Sequence, residues 1–301
     1  MNWPKSVTIK EVGPRDGLQN EKLILSTADK IEWINQLSFT GLSYLEVTSF
    51  VHPKWIPQLA DAVEVARNIK KNPLVTYAAL VPNMKGLEKA IACSVDEVSV
   101  FMSASETHNK QNINKTISET FPVLQEVIAE AIAEGKTVRG YISTVFGCPY
   151  EGEVDYNQVL NICEKLFTMG ISEISLGDTI GVASPRQVEN FLIQALKLYQ
   201  PQSLAMHFHD TRGMALANIV KALDYGITTF DSSLGGLGGC PYAPGASGNV
   251  ATDDLVYMFD KMLIHTGVNQ EALVDSALFV QEKLNKTLPS HRMAMYSDSK
   301  G

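Results

Sequence analysis

Long apolar runs are missing from this 301-residue chain. Nowhere do about eighteen consecutive apolar residues occur, so no segment is expected to span a membrane as a helix. Positive charge is in deficit, with 25 Lys and Arg against 33 Asp and Glu and a net charge of -8. That balance argues against a broad nucleic-acid surface, so an anionic ligand has to be met by local charges. Cysteine is sparse: Cys93, Cys148, Cys163 and Cys240 lie far apart with no C-x-x-C pair. They read as reduced thiols of a cytoplasmic protein rather than a disulfide framework. Met1 to Lys5 is too short and polar for a signal or transit segment. No low-complexity linker divides the chain, so residues 1–301 are expected to form one domain. An extra helix is expected near 269–285, with a polar tail from about 287.

What is present is a long alternation. Apolar residues make up 45% of the chain, ample for a buried core. Short β-branched runs at 7–12, 44–49, 75–81, 97–103, 137–144, 173–179, 204–210 and 228–234 read as strands. Between and after them, apolar residues three and four apart predict helices over 28–37, 58–69, 85–93, 118–134, 156–169, 185–198, 214–225 and 253–265. Eight strand–helix units predict a TIM (β/α)₈ barrel with an additional C-terminal helix. Gly41, Gly135, Gly170 and Gly226 fall where helices should stop. The segment GPRDGL after the first strand is not G-x-G-x-x-G, which argues against an open doubly wound sheet.

Barrel chemistry sits at the C-terminal strand ends. There the predicted strands deliver Arg15 and Asp16, Glu46, Thr144, Asp178, and His207, His209 and Asp210, expected to converge on one mouth. In MHFHD, residues two apart share a strand face, so His207 and His209 point together while Met206 and Phe208 point to the helices. Two imidazoles beside the Asp16 carboxylate suit a divalent metal, leaving Mg²⁺, Mn²⁺, Fe²⁺, Co²⁺ and Zn²⁺ open. The glycine-rich stretch from Ser233 to Asp254 reads as a lid, with Cys240 as a proton donor and the Asn249 amide oxygen as a fourth ligand. Cys93 and Cys163 fall in amphipathic helical patterns and are expected to be buried. Cys148 and Cys240 share the tetrapeptide GCPY, and both are expected in loops where a thiol is accessible.

The segments GPRDGLQNE, EVTSFVHPKW, HFHDTRG and GGLGGCPYAPGASGN, in that order, resemble the 3-hydroxy-3-methylglutaryl-CoA lyase family, within the DRE-TIM superfamily of metal-dependent lyases and Claisen-condensing barrels. The cysteine-bearing glycine loop resembles the lyases rather than the condensing relatives. The resemblance implies that Asp16, His207, His209 and Asn249 bind Mg²⁺ or Mn²⁺. It implies that Arg15 faces the thioester carbonyl, Glu46 organises the site and Cys240 acts from the closing loop, with the base for the substrate hydroxyl left open between Asp16 and His207. It further implies an acyl-CoA substrate, a homodimer, and a place in leucine degradation and ketone-body formation. Asp253 stands where a Glu is common and is expected to support the site from behind. His52 stands where Ser is frequent, and Asn285 and Lys286 correspond to a CoA-contacting segment. A Claisen-condensing acyl-CoA transferase, a related metal-dependent aldolase and a metallohydrolase are the alternative classes.

Overall fold

The computed structural model describes residues 3–239 and 248–298. Among them, eight parallel strands close in sequence order into a barrel: β1 (Thr8–Glu11), β2 (Tyr44–Ser49), β3 (Thr76–Leu80), β4 (Glu97–Ser103), β5 (Thr137–Ser143), β6 (Glu173–Asp178), β7 (Leu204–Phe208) and β8 (Thr229–Ser232). Closure is made where β1 runs beside β8, from Thr8 opposite Thr229 to Glu11 opposite Ser232. Helices cover the outside of the sheet, so strands such as β2 are buried at every position. Trp33, Ile34 and Leu37 of the helix Thr27–Leu37 supply one patch of that outer core.

Local chemistry fixes the helix starts. Ser26, Asn83, Thr116, Asp155, Ser184 and Asn269 each accept a backbone N–H of the turn that follows. Gly170 and Gly226 end their helices at φ of 102° and 81°, a conformation that a Cβ disfavours.

The structure departs from the sequence-based elements at three places. The helix expected over 58–69 is broken into a 3₁₀ turn, Pro57–Leu59, and a shorter helix, Ala62–Asn68. Gln58 is drawn inward there, its amide bridging the Leu23 carbonyl and the Leu25 N–H. A helix not foreseen, Glu106–Ile113, has almost no apolar residues and so leaves no periodic signal. It is held by polar bonds, with Ser105 at its N-cap and Asn109 joined to the Ser103 N–H, the Lys115 carbonyl and Thr120. The expected polar tail contains a helix, His291–Asp298, whose first N–H groups, of His291 and Arg292, donate to Asp254 while Met293 is buried.

One further element shapes the mouth. Residues 248–251 return between β7 and β8: the Asp210 N–H donates to Gly248, the Val250 N–H to Phe208 and the Ser233 N–H to Val250, at 2.8, 3.0 and 3.0 Å. His209 and Asn249 therefore sit side by side on an antiparallel bridge.

Candidate active site

Arg15 and Asp16 do not lie on β1 itself. They occupy a π-helical turn, Gly13–Gly17, in which the Gly17 N–H donates to the Val12 carbonyl five residues back at 3.2 Å. This turn folds both side chains into the barrel mouth, where each is buried. Arg15 donates from Nε to Glu46 at 2.6 Å and from Nη1 to Asp16 Oδ1 at 2.5 Å. Glu46, on β2, also accepts the Tyr141 hydroxyl at 3.1 Å. The two carboxylates raise the Arg15 pKa against the opposing effect of burial, so the guanidinium is always charged. Burial alone would raise Asp16, yet Arg15, His207 and His209 pull it down to about 2.

His207 and His209 point into the same mouth, their ring centroids 5.2 Å apart, while Met206 and Phe208 are buried on the other face. Asp16, His207 and His209 each offer a ligand atom, all within 4.8 Å of one another. Burial, followed by the neighbouring His207, lowers His209 to about 4, so it is a neutral imidazole at physiological pH. Asn249 donates to Asp16 Oδ2 at 2.8 Å and to the Leu237 carbonyl at 3.2 Å. Its Oδ1, like His209 Nδ1, is buried without a hydrogen-bond partner. Buried polar atoms without partners are costly. Two of them beside a carboxylate and a second imidazole form the mixed N and O donor set that suits a divalent cation.

A cavity of about 570 Å³ opens here, lined by Arg15, Asp16, His207 and His209 together with Trp55 and Lys115. A family model described as HMGL-like matches residues 6–280. The chain belongs to the HMGL-like family. It is 58% identical over 299 residues to the hydroxymethylglutaryl-CoA lyase YngG of Bacillus subtilis, covering 99% of this chain and 100% of that one. A crystal structure of the Bacillus subtilis HMG-CoA lyase superposes with a TM-score of 0.98 over 99% of this chain and 100% of that one, at 58% identity. An Acinetobacter baumannii HMG-CoA lyase in complex with coenzyme A and 3-methylmalate gives a TM-score of 0.92 at 39% identity, covering 97% of this chain and 95% of that one.

Several side chains expected at the mouth of this HMGL-like barrel are used otherwise. Asp178 accepts the N–H groups of Val182 and Ala183 at 3.0 and 2.8 Å, while staying near enough to His207 to interact with it electrostatically. Asp210 accepts the Ala215 N–H at 2.9 Å, at the start of the next helix. Thr144 adopts φ of 61° and shares a hydrogen bond with Ser103 at 2.7 Å. Cys148 is buried rather than accessible, its thiol 2.9 Å from the Ser105 hydroxyl. Cys93 and Cys163 are buried as expected, and Cys240 lies outside the described residues. Asp253, expected behind the site, accepts the Gly235 N–H at 2.8 Å and the Ser290 hydroxyl, gripping the turn Leu234–Gly236. His52 is exposed on the cavity lining. Asn285 caps the helix Gln270–Leu284 in a left-handed conformation, and Lys286 pairs with Glu21 at 2.6 Å; neither lines the cavity.

Sequence reasoning missed Tyr141 and Gln19. Tyr141 bonds Glu46, and both Arg15 and Arg139 approach its ring, at 5.3 and 4.7 Å from the centroid. Gln19 donates to Asp16 Oδ1 at 2.7 Å. Its place in RDGLQ, three residues after Asp16 and so one helical turn away, is a signal that could have found it. Tyr141 carried no such signal, because a tyrosine on a strand most often packs in a core.

Proposed function

We propose that this barrel mouth cleaves 3-hydroxy-3-methylglutaryl-CoA to acetyl-CoA and acetoacetate, with a divalent cation, Mg²⁺ or Mn²⁺, held by Asp16, His207, His209 and Asn249. The observation that carries the reading is the convergence of ligand atoms of Asp16, His207 and His209, with two buried polar atoms that lack partners, His209 Nδ1 and Asn249 Oδ1, and a buried arginine beside Asp16. A cation bound there lowers the pKa of a hydroxyl it meets and orients the substrate's oxygens.

Cleavage breaks the bond between the hydroxyl-bearing carbon and the carbon next to the thioester. The hydroxyl proton passes to a base, Asp16 or His207, and the oxygen becomes the ketone of acetoacetate. The bond's electron pair moves to the thioester as an enolate, which takes up a proton to give acetyl-CoA. Arg15 supplies what the enolate needs. Glu46 and Asp16 occupy two of its donors and fix the guanidinium plane, and Arg15 itself lines the cavity. Arg15 is buried at the foot of that cavity, where a charge acts more strongly on a developing anion than it would in bulk water. We assign the protonation of the enolate to Cys240 on the closing glycine-rich loop.

The cavity suits a thioester arm, with Lys115 on its lining as a cation for an acyl-CoA phosphate. Lys286 remains a proposed CoA contact beside Asn285. Its pair with Glu21 is part exposed and contributes about 0–1 kcal/mol, so exchanging Glu21 for a phosphate costs little. We read residues 1–301 as one catalytic unit. Purified protein incubated with the thioester and Mg²⁺ or Mn²⁺ is expected to release acetoacetate; no acetoacetate above a metal-free control would overturn the reading.

A further inference from the structure

We propose that Asp231 is a positioning residue for His207: it holds the imidazole in the tautomer that keeps its proton on Nδ1 and turns the bare Nε2 toward Asp16. The inference rests on the metal reading of Asp16, His207 and His209.

Asp231 stands directly across from His207 in the register of β8 against β7. It is buried, and its Oδ2 lies 3.3 Å from His207 Nδ1. Its other neighbours are donors: the Ser175 hydroxyl at 2.7 Å, and Arg139 through Nη2 at 2.6 Å and Nη1 at 3.3 Å. A carboxylate paired in this way only accepts, so His207 Nδ1 has to donate, and in a neutral ring Nε2 is then the acceptor. His207 Nε2 stands 3.9 Å from Asp16 Oδ2, too far for a hydrogen bond. Two acceptors therefore face one another with no proton between them, an arrangement that a cation satisfies.

The clamp on Asp231 is itself anchored. Arg139 is fully buried and donates from Nε to Glu173 at 2.6 Å, and Glu173 pairs with Lys10 at 2.8 Å. A line of alternating charges thus runs through the barrel interior, Lys10, Glu173, Arg139, Asp231, and ends on the ring. His209 has no equivalent, because its Nδ1 is without a partner. Of the two imidazoles, only His207 has its tautomer dictated by a carboxylate.

Nitrogen-15 NMR of histidine-labelled, metal-free protein, at a pH where the ring is neutral, reads the tautomer, with His207→Ala assigning the signal. The expected result is a proton on Nδ1 and none on Nε2. Asp231→Asn should reverse this. Its amide oxygen is claimed by Arg139, its NH₂ then faces the ring, and Nδ1 becomes an acceptor. Mn²⁺ affinity of that variant, followed by electron paramagnetic resonance, is expected to fall on the order of 10–100-fold with an unchanged circular dichroism spectrum. A proton on Nε2 or an even mixture in the unsubstituted protein overturns the inference, as does wild-type Mn²⁺ affinity in folded Asp231→Asn. Should Asp231→Asn not fold, the tautomer of the unsubstituted protein decides. Failure of the unsubstituted protein to bind Mn²⁺ would instead sink the metal reading, and the tautomer would still score Asp231 by itself.

Discussion

Asn249 shows how much one atom can carry. Its Nδ2 is committed to Asp16 and Leu237, while its Oδ1 is buried with nothing to accept from. Asn249→Ala removes that oxygen and a donor to Asp16, so Mn²⁺ affinity by titration calorimetry is expected to drop on the order of tenfold or more. Unchanged affinity would reassign Asn249 to holding Leu237. Arg15 makes a different demand, because its planar fork serves Glu46 and Asp16 at once. A lysine carries the charge but not the fork, so Arg15→Lys should lose on the order of 10²-fold in turnover. Near-normal turnover would show that charge alone suffices. For the two GCPY cysteines, burial of Cys148 beside Ser105 predicts that alkylating reagents inactivate through Cys240. Peptide mapping that finds Cys148 modified in step with lost activity would overturn this. At the residue scale, the period of two made the histidine pair legible, but identical tetrapeptides could not reveal which thiol is buried.

The element that joins the chemistry to the frame is the short turn Leu234–Gly236. Glu11 accepts the Leu234 N–H at 2.9 Å, the Gly13 N–H at 2.8 Å and the Thr252 hydroxyl at 2.6 Å, tying the turn to the strand that precedes Arg15. Burial outweighs these bonds and raises Glu11 from 4.5 to about 7, and burial likewise raises Asp253 from 3.8 to about 6. In the unfolded chain both groups release their protons near their ordinary values. Between there and their raised values the folded state binds more protons, so this contribution to stability falls as pH rises and stays lost above about 7. Glu11→Gln cannot ionise. Its melting temperature relative to the unsubstituted protein should therefore climb from pH 5 to pH 8; a constant or shrinking difference would mean that Glu11 is charged in the fold throughout. The same turn holds Gly235 at φ of 67°, where a Cβ would meet Leu288 Cδ1 at 2.4 Å. Gly235→Ala is expected to cost about 2–4 kcal/mol, from the left-handed backbone and overpacking together, as read by urea denaturation.

For the whole molecule, the metal reading makes a thermodynamic demand as well as a catalytic one. Asp16 comes from the turn after β1, His207 and His209 from β7 and its end, and Asn249 from the segment returning between β7 and β8. A ligand that binds such a composite site binds only the folded chain. Mg²⁺ or Mn²⁺ at about a hundred times its dissociation constant should add about 2.7 kcal/mol of stability, removed by EDTA. Thermal melts that do not respond to either cation would rule out a composite site of useful affinity.

The sequence by itself determined the barrel, because strand and helix periods are local properties, and β2 and β4 begin and end where their β-branched runs do. It also determined the pairing of His207 with His209, which follows from the pleat of one strand. Arg15 and Asp16 were legible as residues of the mouth but not as a π-helical turn, in which the Val12 carbonyl meets three N–H groups, those of Arg15, Asp16 and Gly17, a pattern with no residue signature of its own. The helix Glu106–Ile113 was invisible because polar bonds rather than an apolar stripe hold it. Only the tertiary structure decided which carboxylates meet the chemistry. Asp178 and Asp210 spend themselves on nearby backbone N–H groups, whereas Asp231, silent in the sequence, stands against His207. The physical reason is that a carboxylate takes whichever donors the fold brings within about 3 Å: for Asp178 and Asp210 these are local N–H groups, whereas for Asp231 closure of the barrel supplies them from β5, β6 and β7, far apart in the chain.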